Sequence, residues 1–201
     1  MTDPIRLQPR PSRALILVDD ATLRAQVARV LARSNWVINT AVRSGELPAL
    51  ILLDPLSAAR LPVREVTPLA GVVLIAAADE ARIGVDAICP AEDDALATIA
   101  AEWDPNARIA PALRLAAMFG ETAILGALVG LRAQLAAAWT GSADADGAHR
   151  LAGITGTLGF ADASAAWSAQ SEGEPDALPR ALHQTRLAML AIDCAVWTPS
   201  S

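Results

Sequence analysis

The chain has 201 residues, of which 53% are hydrophobic, and this is enough for one large domain or two small ones. All 16 basic residues are arginine, so chemistry that needs a lysine, such as a P-loop or a Schiff base, is excluded. The formal net charge is −6, and the acids outnumber the arginines both before and after residue 105, which argues against nucleic acid as a partner.

The first residues and the cysteines indicate where the protein resides. Residues 1–12 are polar and contain prolines, which predicts a flexible tail and no signal peptide. The longest apolar run, residues 69–78, is about half of a membrane span, so no membrane segment is expected. Cys89 and Cys194 lie far apart and outside any CxxC pair, which favours reduced thiols. We therefore expect a cytoplasmic protein.

Residues 13–104 alternate short apolar runs with helical periods. The pattern predicts strands over residues 14–18, 36–42, 49–53, 71–75 and 85–89, and helices over residues 21–34 and 92–103. Near-continuous apolar strands that alternate with helices are typical of a parallel sheet covered on both faces. We predict a small, doubly wound parallel sheet of five strands, with any site at the carboxyl ends of the strands.

The strand pattern stops at Asp104-Pro105-Asn106, which we interpret as a domain boundary. Helices are predicted over residues 107–119, 121–139, 144–158, 162–170 and 179–197. Several helices with short loops and apolar faces predict an antiparallel four-helix bundle with an extra N-terminal helix over residues 106–197. The predicted fold class is therefore α/β plus all-α.

One of these helices carries the segment AHRLAGITGTLGF, residues 148–160. At 100° per residue, His149, Gly153 and Gly156 share one face, flanked by Ala145 and Ala152. Each glycine costs a helix about 1 kcal/mol relative to alanine, so two beside one histidine need a reason. We infer that the glycines keep the space around the histidine free of side chains. An exposed histidine without neighbouring side chains can be approached by another protein's active site and can carry a covalent phosphoryl group.

At these residues the chain resembles the histidine phosphotransfer (HPt) domain of multistep phosphorelays. The family's helix carries alanine, histidine, any residue, leucine, lysine and glycine, followed by small residues and Leu–Gly. The resemblance covers about residues 106–197 and includes residues 115–120 and the long helix after them. It implies that His149 accepts a phosphoryl group from one receiver aspartate and passes it to another. The protein would then be a phosphocarrier and not an autonomous enzyme.

The resemblance also implies a docking face and a set of partners. The face would comprise Ala145, Arg150, Ala152, Gly153 and Gly156, with Ala152 at the position where the family commonly has lysine. The implied partners are response-regulator receiver domains and a histidine kinase, which can be a hybrid kinase. Mg²⁺ would be supplied by the partner receiver, so no cofactor or metal is expected in this chain. A homodimer is left open.

The second histidine, His183, lies alone in the last predicted helix, and we interpret it as a surface or boundary residue. Two isolated histidines without nearby cysteines do not indicate a metal site.

The first half resembles a response-regulator receiver domain in the position of its acidic residues. Asp19 and Asp20 follow the first predicted strand and Asp54 follows the third, where that family holds Mg²⁺ and the phosphoacceptor carboxylate. The family also needs a hydroxyl residue after strand four and a lysine after strand five, and both stabilise the transferred phosphoryl group. Here residues 76–78 are alanines and no lysine exists. We therefore predict a pseudo-receiver over residues 13–104 that docks or dimerises.

Two interpretations of these carboxylates remain open at the level of sequence. Asp19, Asp20 and Asp54 either cap the following helices or face water, or they retain a residual Mg²⁺ site with a phosphorylated Asp54.

A function of a different class fits the same residues. A regulatory scaffold would bind a kinase or a receiver through the helical face or the pseudo-receiver without taking phosphate, and the alanine at position 152 motivates this alternative. A metabolic α/β enzyme is disfavoured, because the sequence contains no glycine-rich phosphate loop, catalytic triad or metal-ligand motif.

Overall fold

A computed structural model describes residues 6–41, 48–60, 69–76, 85–141 and 143–197. The chain forms two compact units. The α/β unit is Pro11–Asp104, and the helical unit combines Met1–Arg10 with Pro105–Ser201. The end of the second predicted strand at residue 42, the alanines at 77 and 78, and the first five residues of the predicted tail lie outside the described residues.

The helices and strands follow the order that the sequence pattern predicts, and Arg6–Leu7, Pro55–Ala58 and Val196–Trp197 are added to it. The strands are β1 (Arg6–Leu7), β2 (Arg13–Leu17), β3 (Val37–Asn39), β4 (Leu50–Leu53), β5 (Gly71–Ile75), β6 (Ala87–Cys89) and β7 (Val196–Trp197). The helices are α1 (Ala21–Arg33), α2 (Pro55–Ala58), α3 (Asp93–Glu102), α4 (Pro105–Phe119), α5 (Glu121–Thr140), α6 (Ala145–Thr157), α7 (Ala161–Ser171) and α8 (Ala177–Ala195).

The α/β unit is built on a parallel sheet of five strands in the order β3-β2-β4-β5-β6. The register places Ile51 of β4 beside both Leu15 of β2 and Val72 of β5. Every residue of β4 and β5 is buried, as expected for central strands with both faces covered. The predicted five-stranded parallel sheet and the mixture of an α/β part with a helical part are confirmed.

The strand order reverses direction between β2 and β4. In open parallel sheets, ligands bind beyond the carboxyl ends of the strands at such a point. Here β2 leads to Asp19 and Asp20, and β4 leads to Asp54. The fold therefore brings the three predicted carboxylates to the same edge of the sheet.

The helical unit is organised around α8, which has buried residues along nearly its whole length. It packs against α4, α5 and α7, and α7 packs most extensively against α6. In the core, Trp167 of α7 is fully buried, and its indole N–H donates to the hydroxyl of Thr185 on α8 at 2.9 Å. Arg132 of α5 and Asp193 of α8 form a two-bond ion pair at 2.8 and 3.0 Å. These contacts fix α5 and α7 to the same helix.

Within the tail predicted over residues 1–12, the described residues 6–8 are bound to the helical unit and are not free. Arg6–Leu7 pairs antiparallel with Val196–Trp197. The backbone N–H of Leu7 donates to the Glu121 carboxylate at 2.8 Å, and that of Gln8 donates to the Ala195 carbonyl at 2.7 Å. The physical reason is that the segment's own backbone N–H groups need acceptors, which the Glu121 carboxylate and the Ala195 carbonyl at the end of α8 supply.

By length and composition, α5 is the single helix in the described part of the chain that could cross a membrane. Its apolar residues do not form one continuous run, because Arg132 and Gln134 interrupt them. Core helices of globular proteins also pass this test. In α5, Leu128, Leu131 and Leu135 are buried within the unit. The described residues thus contain one weakly apolar helix, and 22% of its apolar window is buried.

Candidate functional site

The predicted phosphoacceptor, His149, lies in the second turn of α6. The helix begins after Asp144, whose side chain accepts the backbone N–H of Gly147 at 2.8 Å and so caps the first turn. His149 is exposed, and its imidazole has no hydrogen bond or ion pair with any residue that the structure describes. The opposite side of α6, with Leu151 and Thr155, is buried. The side chain is therefore presented to solvent from a well-anchored helix.

The two glycines on the His149 face differ in their surroundings. A Cβ atom on Gly153 would meet nothing within 4 Å, so this position is open and leaves the imidazole accessible. A Cβ atom on Gly156 would lie 2.9 Å from the hydroxyl of Ser164 on α7. Gly156 therefore has a packing role, because it allows α6 and α7 to approach each other closely.

The structure does not place Ala152 on the exposed face, where we expected it. Ala152 is only 5% exposed and lies at the contact between α6 and α7, where its carbonyl accepts the Ser164 hydroxyl at 2.8 Å. The reason is angular, since a residue three positions after His149 is turned about 60° away from it, here towards α7. The position where the HPt family has lysine is thus part of a packed helix interface.

The remaining members of the predicted docking face are exposed. Ala145 and Arg150 both face solvent, as do the glycines. The Arg150 guanidinium extends back along the helix, with Nη2 at 3.8 Å from the place where a Cβ on Gly147 would stand. The exposed face of α6 therefore combines one histidine, one arginine and small residues.

At the carboxyl edge of the sheet, Asp54 is held by the backbone. It is 8% exposed, its Oδ2 accepts the N–H of Asp19 at 2.6 Å and its Oδ1 accepts the N–H of Ser57 at 2.7 Å. Asp54 thereby caps α2, and Asp20 caps α1 by accepting the N–H of Leu23 at 2.8 Å. Both oxygens of Asp54 are occupied by backbone donors.

The third carboxylate of the cluster, Asp19, forms an exposed ion pair with Arg60 at 3.5 Å. Among the residues that the structure describes, no group of three or more His, Cys, Asp or Glu side chains is arranged to hold a metal ion. The sequence left two interpretations of these carboxylates open. The geometry of Asp20 and Asp54 matches the first, in which they cap the following helices.

The hydrogen bonds of Asp54 also set its protonation. Burial by itself raises the pKa of this carboxyl, but the backbone N–H groups of Ser57 and Asp19, with further help from the Ser57 hydroxyl, lower it more strongly. The net result is a pKa below the ordinary value of an aspartate. A depressed pKa in the folded state stabilises the fold above the unfolded-state pKa, and this stabilisation is lost as the pH falls through the folded-state pKa.

We expect Asp54→Ala to lower the free energy of unfolding of the α/β unit by about 2–3 kcal/mol at pH 7, because the cap of α2 is lost and the Asp19 N–H has no acceptor. Asp54→Asn should cost about 1 kcal/mol, since an amide oxygen still caps α2. Urea denaturation at pH 7 and pH 3 tests this. The difference between the wild type and Asp54→Asn should shrink below about pH 4, where the aspartate of the unfolded chain is protonated. Equal stability of Asp54→Ala and the wild type would contradict the capping role.

Sequence reasoning missed the hydroxyl of Ser164 and the structural role of the Leu-Gly sequence that ends α6. The N–H of Gly159 donates to the Gly156 carbonyl at 3.1 Å, and that of Phe160 donates to the Thr155 carbonyl at 2.9 Å. This is the Schellman arrangement, which requires a left-handed residue just after the helix, and Gly159 has φ +86°. A glycine directly after the helical period was the signal that could have revealed it.

Comparison with known proteins gives no matching family model, no similar curated protein and no similar solved structure. Support for a function therefore comes from the residues of the chain themselves.

Proposed function

We propose that the helical unit is a histidine phosphotransfer domain and that His149 carries the phosphoryl group between two receiver domains. The observation that carries this proposal is an exposed imidazole on a capped helix, with the open position Gly153 one turn beyond it. In this proposal α5, α6, α7 and α8 form the family's antiparallel four-helix bundle and α4 is the extra N-terminal helix. The packing of α8 against α5 and α7, and of α7 against α6, supports that assignment.

The proposed reaction needs little from this chain beyond position and clearance. The lone pair of an imidazole nitrogen of His149 attacks the phosphorus of the partner's aspartyl phosphate in line. An N–P bond forms while the bond from phosphorus to the carboxylate oxygen breaks, and the partner's aspartate leaves as a carboxylate. The partner receiver brings the Mg²⁺, the lysine and the hydroxyl that stabilise the transferred group. A chain without lysine can therefore still act as the carrier.

For the α/β unit we propose a pseudo-receiver that binds a partner without accepting phosphate. Both carboxylate oxygens of Asp54 accept backbone N–H groups, and Asp19 is paired with Arg60. A phosphoryl group on Asp54 would remove the cap of α2 and displace the Asp19 N–H. This arrangement favours a structural role for the cluster that resembles the receiver's acidic site.

The test is phosphotransfer from a panel of ³²P-labelled receivers of the source organism. We expect the wild type and His183→Ala to gain label that is stable in base and labile in acid, as phosphohistidine is, and His149→Ala to gain none. His183→Ala is the matched control, because His183 is the second of the two histidines in the chain. Label on His149→Ala would refute the assignment.

The scaffold alternative is favoured by one observation, the burial of the position where the HPt family has lysine. In that case the helical unit would bind a receiver or a kinase without taking phosphate. The two functions are distinguished by comparing the wild type with His149→Ala in receiver binding and in phosphate transfer. A scaffold binds a receiver equally well as wild type and as His149→Ala, and neither protein gains label from it.

A further inference from the structure

A groove runs along the outer surface of the helical unit between α7 and α8. Its volume is about 760 Å³. Ala165, Ala166 and Ala169 line it on the α7 side, and the α8 side is formed by Pro179, Arg180, His183 and Gln184. This volume lies within the range of about 300–1,000 Å³ that is common for ligand sites.

The groove exists because α7 has large side chains on one side only. On the core side, Trp167 is fully buried and bonded to Thr185 of α8, so the helices are firmly packed there. On the outer side, the facing residues of α7 end in a methyl group. Packed helices lie about 8–10 Å apart, and alanines do not fill the outer part of that space.

Exposed carboxylates stand at the two ends of the groove. Asp162 at one end pairs with Arg108 at 3.3 Å, and Glu174 at the other end pairs with Arg180 at 3.1 Å. The side chains of Asp162 and Glu174 remain 72% and 51% exposed in these pairs, so they stay available to a further cation. The turn between the helices adds two exposed acids, Glu172 and Asp176. Exposed carboxylates therefore lie at both ends of the groove, and the Glu174 end is flanked by two more in the turn.

We propose that this groove binds an amphipathic helix of a basic partner protein. Apolar side chains of that helix would fill the space over the alanines, and its arginine or lysine side chains would meet the exposed carboxylates at the ends of the groove. A second copy of this chain is a poorer occupant, because a net charge of −6 on each copy opposes association.

The groove and the His149 face belong to different sides of α7. Ser164 is directed towards α6, where its hydroxyl bonds to Ala152, whereas Ala165 and Ala169 line the groove. A partner in the groove therefore leaves His149 accessible. This inference goes beyond the proposed function and does not depend on it.

The test is fluorescence anisotropy of the full chain with two labelled synthetic peptides of 16 residues. The first combines alanine and leucine on one helical face with arginine on the other, and the second has glutamate in place of arginine. Ala165→Arg blocks the groove and repels a cation. Its matched control is Ala127→Arg, at an exposed position of α5. Gly153→Arg tests the His149 face, and Glu172→Gln with Asp176→Asn removes the two carboxylates of the turn.

We expect the basic peptide to bind the wild type, Ala127→Arg and Gly153→Arg with equal affinity. Its affinity for Ala165→Arg should be lower by a factor of at least about ten. The Glu172→Gln, Asp176→Asn protein should show a smaller loss of affinity between low and high salt than the wild type. The proposal is overturned if Ala165→Arg binds as the wild type does, if the acidic peptide binds equally well, or if Gly153→Arg abolishes binding. Failure to bind any peptide would also overturn it.

Discussion

Gly71→Ala is expected to lower the free energy of unfolding of the α/β unit by about 3 kcal/mol or more. A Cβ at position 71 would lie 2.3 Å from Cδ2 of Trp103 and 2.6 Å from two further atoms of the same ring. Trp103 is 1% exposed, so its ring has no free space into which to move. The backbone of Gly71 is fixed as well, because its N–H donates to the Ala49 carbonyl at 2.9 Å.

Urea denaturation, together with hydrogen exchange of the amides in β4 and β5, measures this effect. The matched control is Gly130→Ala in α5, where a Cβ meets nothing within 4 Å and the expected change is a stabilisation of up to about 1 kcal/mol. Trp103→Leu in the Gly71→Ala background should recover part of the loss, because the clash is with the indole ring. An unchanged stability of Gly71→Ala would show that the close approach of Trp103 to β5 is not as described.

Gly159→Ala is expected to destabilise the helical unit by a similar amount, about 3 kcal/mol. Two costs combine at this position. The φ angle of +86° is unfavourable for alanine by about 1–2 kcal/mol, and the new Cβ would lie 2.4 Å from Cβ of Pro111 on α4. Since Gly159 ends α6 and directs the chain into α7, the substitution strains the turn that holds the His149 helix against its neighbour.

Gly173→Ala separates these two costs. Gly173 has φ +75°, but a Cβ there meets nothing within 4 Å, so only the conformational cost of about 1–2 kcal/mol is expected. Thermal or urea unfolding of both variants gives the comparison. Equal losses for Gly159→Ala and Gly173→Ala would mean that Pro111 does not restrict the turn.

The sheet could be predicted from sequence because its strands are continuously apolar. Residues 49–53 and 71–75 are buried, and each contains four consecutive large aliphatic residues. Such a run is typical of a central strand that is covered on both faces. The long helix α5 was predictable from the spacing of its leucines. The core of α5, formed by Leu128, Leu131 and Leu135, follows that spacing.

The pairing of β1 with β7 was not predictable in the same way. Two-residue strands have too few side chains to show a period, and their stability comes from backbone partners almost two hundred residues away. The short helix α2 is similar, since it depends on the cap from Asp54 and on Pro55 at its first position.

At the candidate site, periodicity placed His149 and Gly153 on an exposed face but could not identify which residues of α6 meet α7. Ala152 and Gly156 are small, and small residues fit an open surface and a close helix contact equally well. The deciding partner is Ser164, which bonds to the Ala152 carbonyl and stands where a side chain on Gly156 would be. Such a contact depends on how two helices pack, and one helix alone does not reveal it.

The chain should next be incubated with a phosphorylated receiver, digested at alkaline pH and analysed by mass spectrometry to locate the phosphoryl group. This measurement tests the role of His149 directly, because phosphohistidine survives alkaline digestion and the modified peptide distinguishes His149 from His183. Phosphohistidine in the peptide that contains residues 148–160 is the predicted result. A phosphoryl group on His183, or transfer that leaves His149 unmodified, would contradict it.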